Sequence, residues 1–336
     1  PLRTRGEGMR TFAGFAVAGL ALAVPGTVTA EVLTVEGVYA ARQSGAVEVW
    51  EIAVERFGGD VGEKLAIALA DRLEAVRLDR EPYFTILAGQ ARRYGYSTGE
   101  TAARDYGAAT MRGTASGEIL DIRDGTKKRT RCVRRDERKK CVEEKVEVYR
   151  CRKLAVRFDP SVRLIARAGG TLYAADDTLT RTQRYCDDDK SEPSANAMMQ
   201  EMVDEFAVRV RYDLAPEYRR ENGRIMESRK GLEREDSASF KDAVRLTKTD
   251  QAEACGQFEA LLAANPDHGS LLFNAGLCAE REDRLEDAIL LYERTLAGSN
   301  GRDYARAGLD RVTSRLRAER QLDRRYPPDS PVEAAN

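Results

Sequence analysis

Between Asn265 and Leu296 the chain reads NPDHGSLLFNAGLCAEREDRLEDAILLYERTL, and no other stretch restricts its fold as tightly. Apolar and small residues recur at helical spacing over residues 270–282 (Leu272, Ala275, Gly276, Ala279) and again over residues 285–296 (Leu285, Ala288, Ile289, Tyr292). Asp283 and Arg284 part the two runs, which predicts a pair of helices folded back on each other. Gly276 and Ala288 fall where those helices cross, and only small side chains let two backbones approach that closely. Thirty-four residues upstream, Ala254, Phe258 and Leu262 repeat the positions of Ala288, Tyr292 and Leu296. Asn265-Pro266 closes that earlier unit. With a further amphipathic run over 304–322 (Leu309, Val312 and Leu316 inward), residues 237–322 are expected to form an all-α array.

This pattern resembles the tetratricopeptide family. The resemblance implies a scaffold that binds proteins and performs no chemistry, with a concave face built from the first helix of each pair. The polar positions beside the small residues, Lys241, Arg245, Asn274 and Glu280, are then expected to meet a protein or peptide ligand. In that family the second helix of one unit packs on the first helix of the next. Cys255 and Cys278 would therefore face a shared groove and form a disulfide. Closing so long a loop adds about 3 kcal/mol in the chain-entropy picture.

The start of the chain carries the pattern of an address. Residues 1–8 read as sequence upstream of the true start at Met9. Arg10, the apolar run 12–24, Pro25-Gly26 and Val28-Thr29-Ala30 follow in the order of a signal peptide, with cleavage expected after Ala30. The apolar run is too short for a helix crossing a hydrocarbon layer about 30 Å thick, and no cysteine stands at the cleavage point to take a lipid. A periplasmic or secreted protein without an integral membrane span is expected. All six cysteines, Cys132, Cys141, Cys151, Cys186, Cys255 and Cys278, lie beyond Ala30, and an even set in an exported chain reads as disulfides. Zinc is the competing reading, but the spacings are wider than a zinc knuckle and His268 is the chain's one histidine, so no metal is expected.

Residues 31–221 predict an α/β domain with a mixed sheet and packed helices. Strands are expected over 47–57, 83–87, 106–122, 142–149, 154–158, 162–166 and 171–175, the last two joined at Gly169-Gly170. Helices are expected over 61–78 (Leu65, Leu69, Leu73 and Val76 on one face) and 196–215 (Met199, Met202, Val203, Phe206 and Val210 inward), the latter ended by Pro216. The charged stretch 217–236 has little periodicity and reads as a solvent-exposed helix or a linker, with the linker proper at 222–236. Residues 323–336 read as a disordered tail. The strand, the helix 61–78, the short strand at 83–87, the long strand carrying Gly107-Ala108 and Gly113, and the hairpin from Arg163 to Tyr173 together resemble the domain shared by curli-secretion proteins and the lipoprotein activators of penicillin-binding proteins. The resemblance implies an envelope protein. Its lipid-anchor cysteine is absent here, and residues 123–153, where that family carries apolar pore-lining hairpins, are densely charged. An adaptor is therefore expected rather than a pore.

Residues 123–153 are read as a solvated hairpin, with a loop over 123–141 closed by Cys132–Cys141 and with Cys151 then paired to Cys186. A Cys132–Cys151 link is the alternative register. Interspersed acids, few aromatics and the near-neutral overall charge argue against nucleic acid as a partner; a negatively charged envelope glycolipid or acidic protein face is the alternative to a merely solvated hairpin. No phosphate loop, dinucleotide fingerprint or nucleophile elbow occurs, and His268 sits in the loop between repeats. No cofactor is expected. The reading is an exported scaffold or adaptor of envelope assembly, maintenance or export, not an enzyme. A cell-envelope hydrolase with a cleft in the α/β domain is the alternative.

Overall fold

The computed structural model describes residues 31–78, 80–88, 107–298 and 301–326. The expected signal segment, residues 1–30, lies outside the described residues. In chain order the first elements are β1 (Val32–Tyr39), β2 (Glu51–Val54), α1 (Gly62–Glu74), β3 (Arg77–Leu78), β4 (Glu81–Pro82), β5 (Thr85–Ala88), β6 (Ala108–Arg135), β7 (Cys141–Ala166), β8 (Thr171–Asp176) and β9 (Leu179–Cys186). They are followed by α2 (Ala195–Leu214), β10 (Glu217–Arg224), α3 (Arg234–Leu246), α4 (Gln251–Ala264), α5 (Gly269–Arg281), α6 (Leu285–Ala297) and α7 (Arg302–Arg325).

The main sheet runs β5-β2-β6-β7-β8, with β9 on β7 further along the same edge. β2 is parallel to both neighbours, and the remaining pairs are antiparallel. Helices α1 and α2 pack side by side on one face. Leu65, Leu69 and Leu73, each one turn after the last, point from α1 into the core. From α2 come Met199, Met202, Val203, Phe206 and Val210, as expected, and Ser194 caps its start by accepting a hydrogen bond from the Ala197 N–H at 3.2 Å. The strand expected at 47–57 shrinks to β2, because Val47 and Val49 turn inward within the preceding bend. Gly59 ends that passage at φ +88°, where a Cβ would meet the Ala115 carbonyl oxygen at 2.1 Å.

Two expectations need correction. The first is the loop at 123–141. β6 continues to Arg135, β7 is one strand from Cys141 to Ala166, and residues 136–140 make the turn. Apolar alternation in β6 stops at Ile122, yet pairing persists, with Arg134 and Glu143 3.2 Å apart across the ladder near the tip. The second is the linker. Residues 217–224 are strand β10, paired with β1 along its whole length from Val32↔Arg224 to Tyr39↔Glu217. Its sequence EYRRENGR offers no apolar alternation to announce a strand. The rest of the linker ends at Arg234, where α3 begins.

The C-terminal half is helical. α3 packs on α4, α4 on α5, α5 on α6 and α6 on α7. Gly276 does what its size predicts: a Cβ there would stand 2.8 Å from the Tyr292 ring. Ala254 and Ala288 are fully buried, and Asp283 takes φ +64° to turn α5 into α6. Leu33 and Val35 of β1, with Ile225 just after β10, join this second core rather than the first. α7 reaches both cores, with Ala305 and Val312 in the second and Leu322 against the first. Residues 323–325, expected in a disordered tail, are its last turn. There Arg325, 3 % exposed, donates to the carbonyls of Val47 (2.8 Å), Val49 (2.6 Å) and Tyr83, and lies 3.9 Å from the ring centres of Trp50 and Tyr83. No helix among the described residues is long and apolar enough to cross a membrane.

Candidate protein-binding groove

The face of the helical array expected to take a ligand is covered by the ribbon of β1 and β10. The ribbon lies against α5 and α7, and both contacts depend on glycine. A Cβ on Gly223 would stand 2.4 Å from Leu277 of α5, and one on Gly37 would stand 2.5 Å from Arg315 of α7.

Three side-chain amides hold the extended chain. Asn274, fully buried on α5, accepts from the Met226 N–H (2.8 Å) and donates to the Met226 carbonyl (2.9 Å). Gln251, first residue of α4, accepts from the Thr34 N–H (3.0 Å) and donates to the Val32 carbonyl (3.4 Å). Gln321 of α7 does the same for Ala41, at 2.9 and 3.1 Å. An amide presents a donor and an acceptor side by side, so it satisfies both polar groups of one strand edge that would otherwise be buried unpaired. The groove thus reads extended backbone, and the backbone it holds is the chain's own.

Below the ribbon lies a buried charge cluster. Glu280, with no exposed surface, accepts two bonds from Arg311 (2.9 and 2.7 Å) and one from the Tyr292 hydroxyl (2.7 Å), while Arg315 donates to its carbonyl (2.7 Å) and to Asp283. Burial works against the Arg311 charge, but its hydrogen bonds to Glu280 and the attraction of the Glu280 charge together outweigh that and hold the guanidinium above its ordinary range. Burial first, and the nearby Glu280 charge second, push the Tyr292 phenol well above its usual value. Tyr292 and Arg311 thus stay in the forms that pair with a carboxylate.

The four polar residues expected on one ligand-binding surface are divided. Asn274 and Glu280 are buried and bound within the chain. Lys241 and Arg245 are exposed on α3, where Arg245 lies 3.3 Å from Asp242. With Arg234 and Ala238 they form one exposed stripe at i, i+4, i+7 and i+11. Gln251, Gln321 and Arg325 were not singled out by sequence reasoning. Polar residues inside helical runs look solvent-facing until the strand they clamp is known.

The six cysteines form Cys132–Cys141, Cys151–Cys186 and Cys255–Cys278, the three expected pairs. Three disulfides fit an extracellular or periplasmic protein. His268 is the N-cap of α5, its Nδ1 accepting from the Leu271 N–H at 3.4 Å, and burial lowers its pKa. Among the described residues no group of three or more histidine, cysteine, aspartate or glutamate side chains stands close enough to hold a metal.

No family model and no curated protein matches this chain. Among solved structures, one described as a neuraminyllactose-binding hemagglutinin homolog from Helicobacter pylori is similar over 52% of this chain and 89% of its own, at 8% identity and a TM-score of 0.29. Two crystal forms of the PelC dodecamer from Paraburkholderia phytofirmans are similar over 54% of this chain and 99% and 97% of their own, at 13% identity and a TM-score of 0.24. Likenesses this distant transfer neither fold nor function.

Proposed function

We propose that the protein is an exported scaffold or adaptor of the cell envelope, and that its helical region is a short tetratricopeptide-like array that binds another protein. The observation that carries this reading is the exposed stripe Arg234, Ala238, Lys241 and Arg245 on α3, the outermost helix of the array. Three cations on one helical face, flanking a small residue, suit an acidic extended or helical segment of a partner. The neighbouring groove does not compete for that role while the ribbon of β1 and β10 fills it. The amide clamps and Arg325 join the helices to the α/β half, so the stripe is presented by a rigid body rather than at the end of a linker.

The test is capture from an envelope extract by the oxidised chain, against a Lys241→Glu, Arg245→Glu variant. One discrete partner retained by the parent and lost by the variant, at unchanged thermal stability, supports the reading. A partner retained equally by both removes α3 as the binding surface. Turnover of a wall or lipid substrate would replace the adaptor with the hydrolase.

A further inference from the structure

The β6–β7 hairpin outruns the body that supports it. β9 accompanies β7 only from Phe158 to Cys151. Beyond that point the pairing continues from Thr126↔Arg150 to Arg135↔Cys141 as a two-stranded arm, about 30 Å long at the usual rise. Its root is fixed. Cys151–Cys186 ties β7 to β9, Arg184 pairs with Asp124 at 2.7 Å, and Lys127 and Arg129 pair with Asp188 at 3.0 and 3.3 Å. Cys132–Cys141 staples the two strands near the tip. The arm is built to hold its shape away from the body.

Its surface has two marked properties. Residues 123–153 carry fourteen basic against six acidic side chains, a formal +8, in a chain whose total is −1, so the remainder carries −9. The charged side chains of Lys128, Arg131, Arg138, Lys139, Lys140 and Arg150 make no ion pair among the described residues, although the Arg138 and Lys140 backbone N–H groups donate to Asp136. Strand alternation also puts Val146 and Val148, with Glu144, on one face with Lys128 and Arg150, opposite the face that Lys127 and Arg129 turn to Asp188. Val146 and Val148 are 57 and 58 % exposed, an adjacent apolar pair left uncovered on the arm's free face.

We propose that this arm docks on an anionic lipid surface, its cations on the headgroup phosphates and its valine pair at the boundary of the acyl chains. A purely ionic partner, such as nucleic acid or an acidic protein face, accounts for the cations and leaves the valines unexplained. A lipid interface uses both, since binding there sums buried apolar area and attraction to anionic headgroups. The arm lies against the membrane and does not span it, because charged side chains occupy both of its faces. This surface is separate from the α3 stripe, so either inference fails without the other.

The experiment is sedimentation of the oxidised chain with phosphatidylglycerol vesicles and with phosphatidylcholine vesicles, at about 50 mM and about 300 mM salt. Binding is expected to phosphatidylglycerol alone, and to weaken with salt. An Arg138→Gln, Lys139→Gln, Lys140→Gln variant should partition about a hundredfold less, at roughly fivefold per cation near an anionic surface. A Val146→Ser, Val148→Ser variant should lose several-fold at both salt concentrations, because the apolar share is not screened. Non-reducing peptide mapping of each variant for Cys132–Cys141 and Cys151–Cys186 separates a lost surface from a misfolded arm. Absence of binding to phosphatidylglycerol at low salt overturns the proposal. So does a valine variant that binds like the parent while heparin or inorganic phosphate at equal ionic strength displaces the protein, which would mark a general polyanion patch.

Discussion

Replacing Asn274 by alanine removes both hydrogen bonds that hold Met226 against α5. The lost bonds are worth about 1 kcal/mol each, and leaving two backbone groups half-buried and unpaired raises the cost to about 2–4 kcal/mol. Hydrogen exchange at the Met226 amide reads that loss locally. It should speed up about thirtyfold to several hundredfold, while amides in α1 and α2 keep their rates. Asn274→Asp sharpens the test, because a protonated carboxyl has the same donor and acceptor as the amide, whereas a carboxylate opposes the Met226 carbonyl. The folded state therefore raises the pKa of the introduced acid. The variant should be less stable than alanine at neutral pH and should recover as the pH falls through the raised folded value towards the unfolded one near 3.9. A change in Met226 exchange below about threefold for Asn274→Ala would refute the clamp and, with it, the filled groove.

Three further outcomes follow from other parts of the molecule. Converting Cys255 and Cys278 to serine opens a loop of 23 residues and should cost about 3 kcal/mol, read as a lower melting temperature of the oxidised chain. Arg325→Met leaves the Val47, Val49 and Tyr83 carbonyls without their donor and removes the cation beside Trp50. The fluorescence of this one tryptophan should change at temperatures where far-ultraviolet circular dichroism is still native. Burial depresses the His268 pKa, so its contribution is present above the unfolded value near 6.5 and is lost as the pH falls through the folded one. The helices should loosen as the pH falls below the unfolded value near 6.5 and through the lower folded one. His268→Gln should flatten that dependence, since no other histidine titrates there.

The helices were legible because each rests on spacing within one segment, and Cys255–Cys278 because of the helix packing that the tetratricopeptide resemblance implies. Leu65, Leu69 and Leu73 mark α1, and the two helical runs around Asp283 mark α5 and α6. The ribbon was not legible. Half of it, β10, is polar on every second residue and carries no apolar signal on the others, so its strand character comes from β1, 178 to 192 residues earlier. The site inherited that blindness. Asn274 and Glu280 look like ligand contacts until Met226 and Arg311 are seen to occupy them. Only the β6 half of the arm escaped: β7 shows its valines at 146 and 148, whereas β6 beyond Ile122 has no hydrophobic alternation and is a strand because it pairs with β7.

The most direct test of the account compares hydrogen exchange of the oxidised chain alone and with its captured envelope partner bound. Added protection confined to α3, with the amides of β1 and β10 unchanged, is the predicted result. Deprotection of β1 and β10 together with new protection on α5 would mean that the partner displaces the ribbon and takes the groove, and would contradict it.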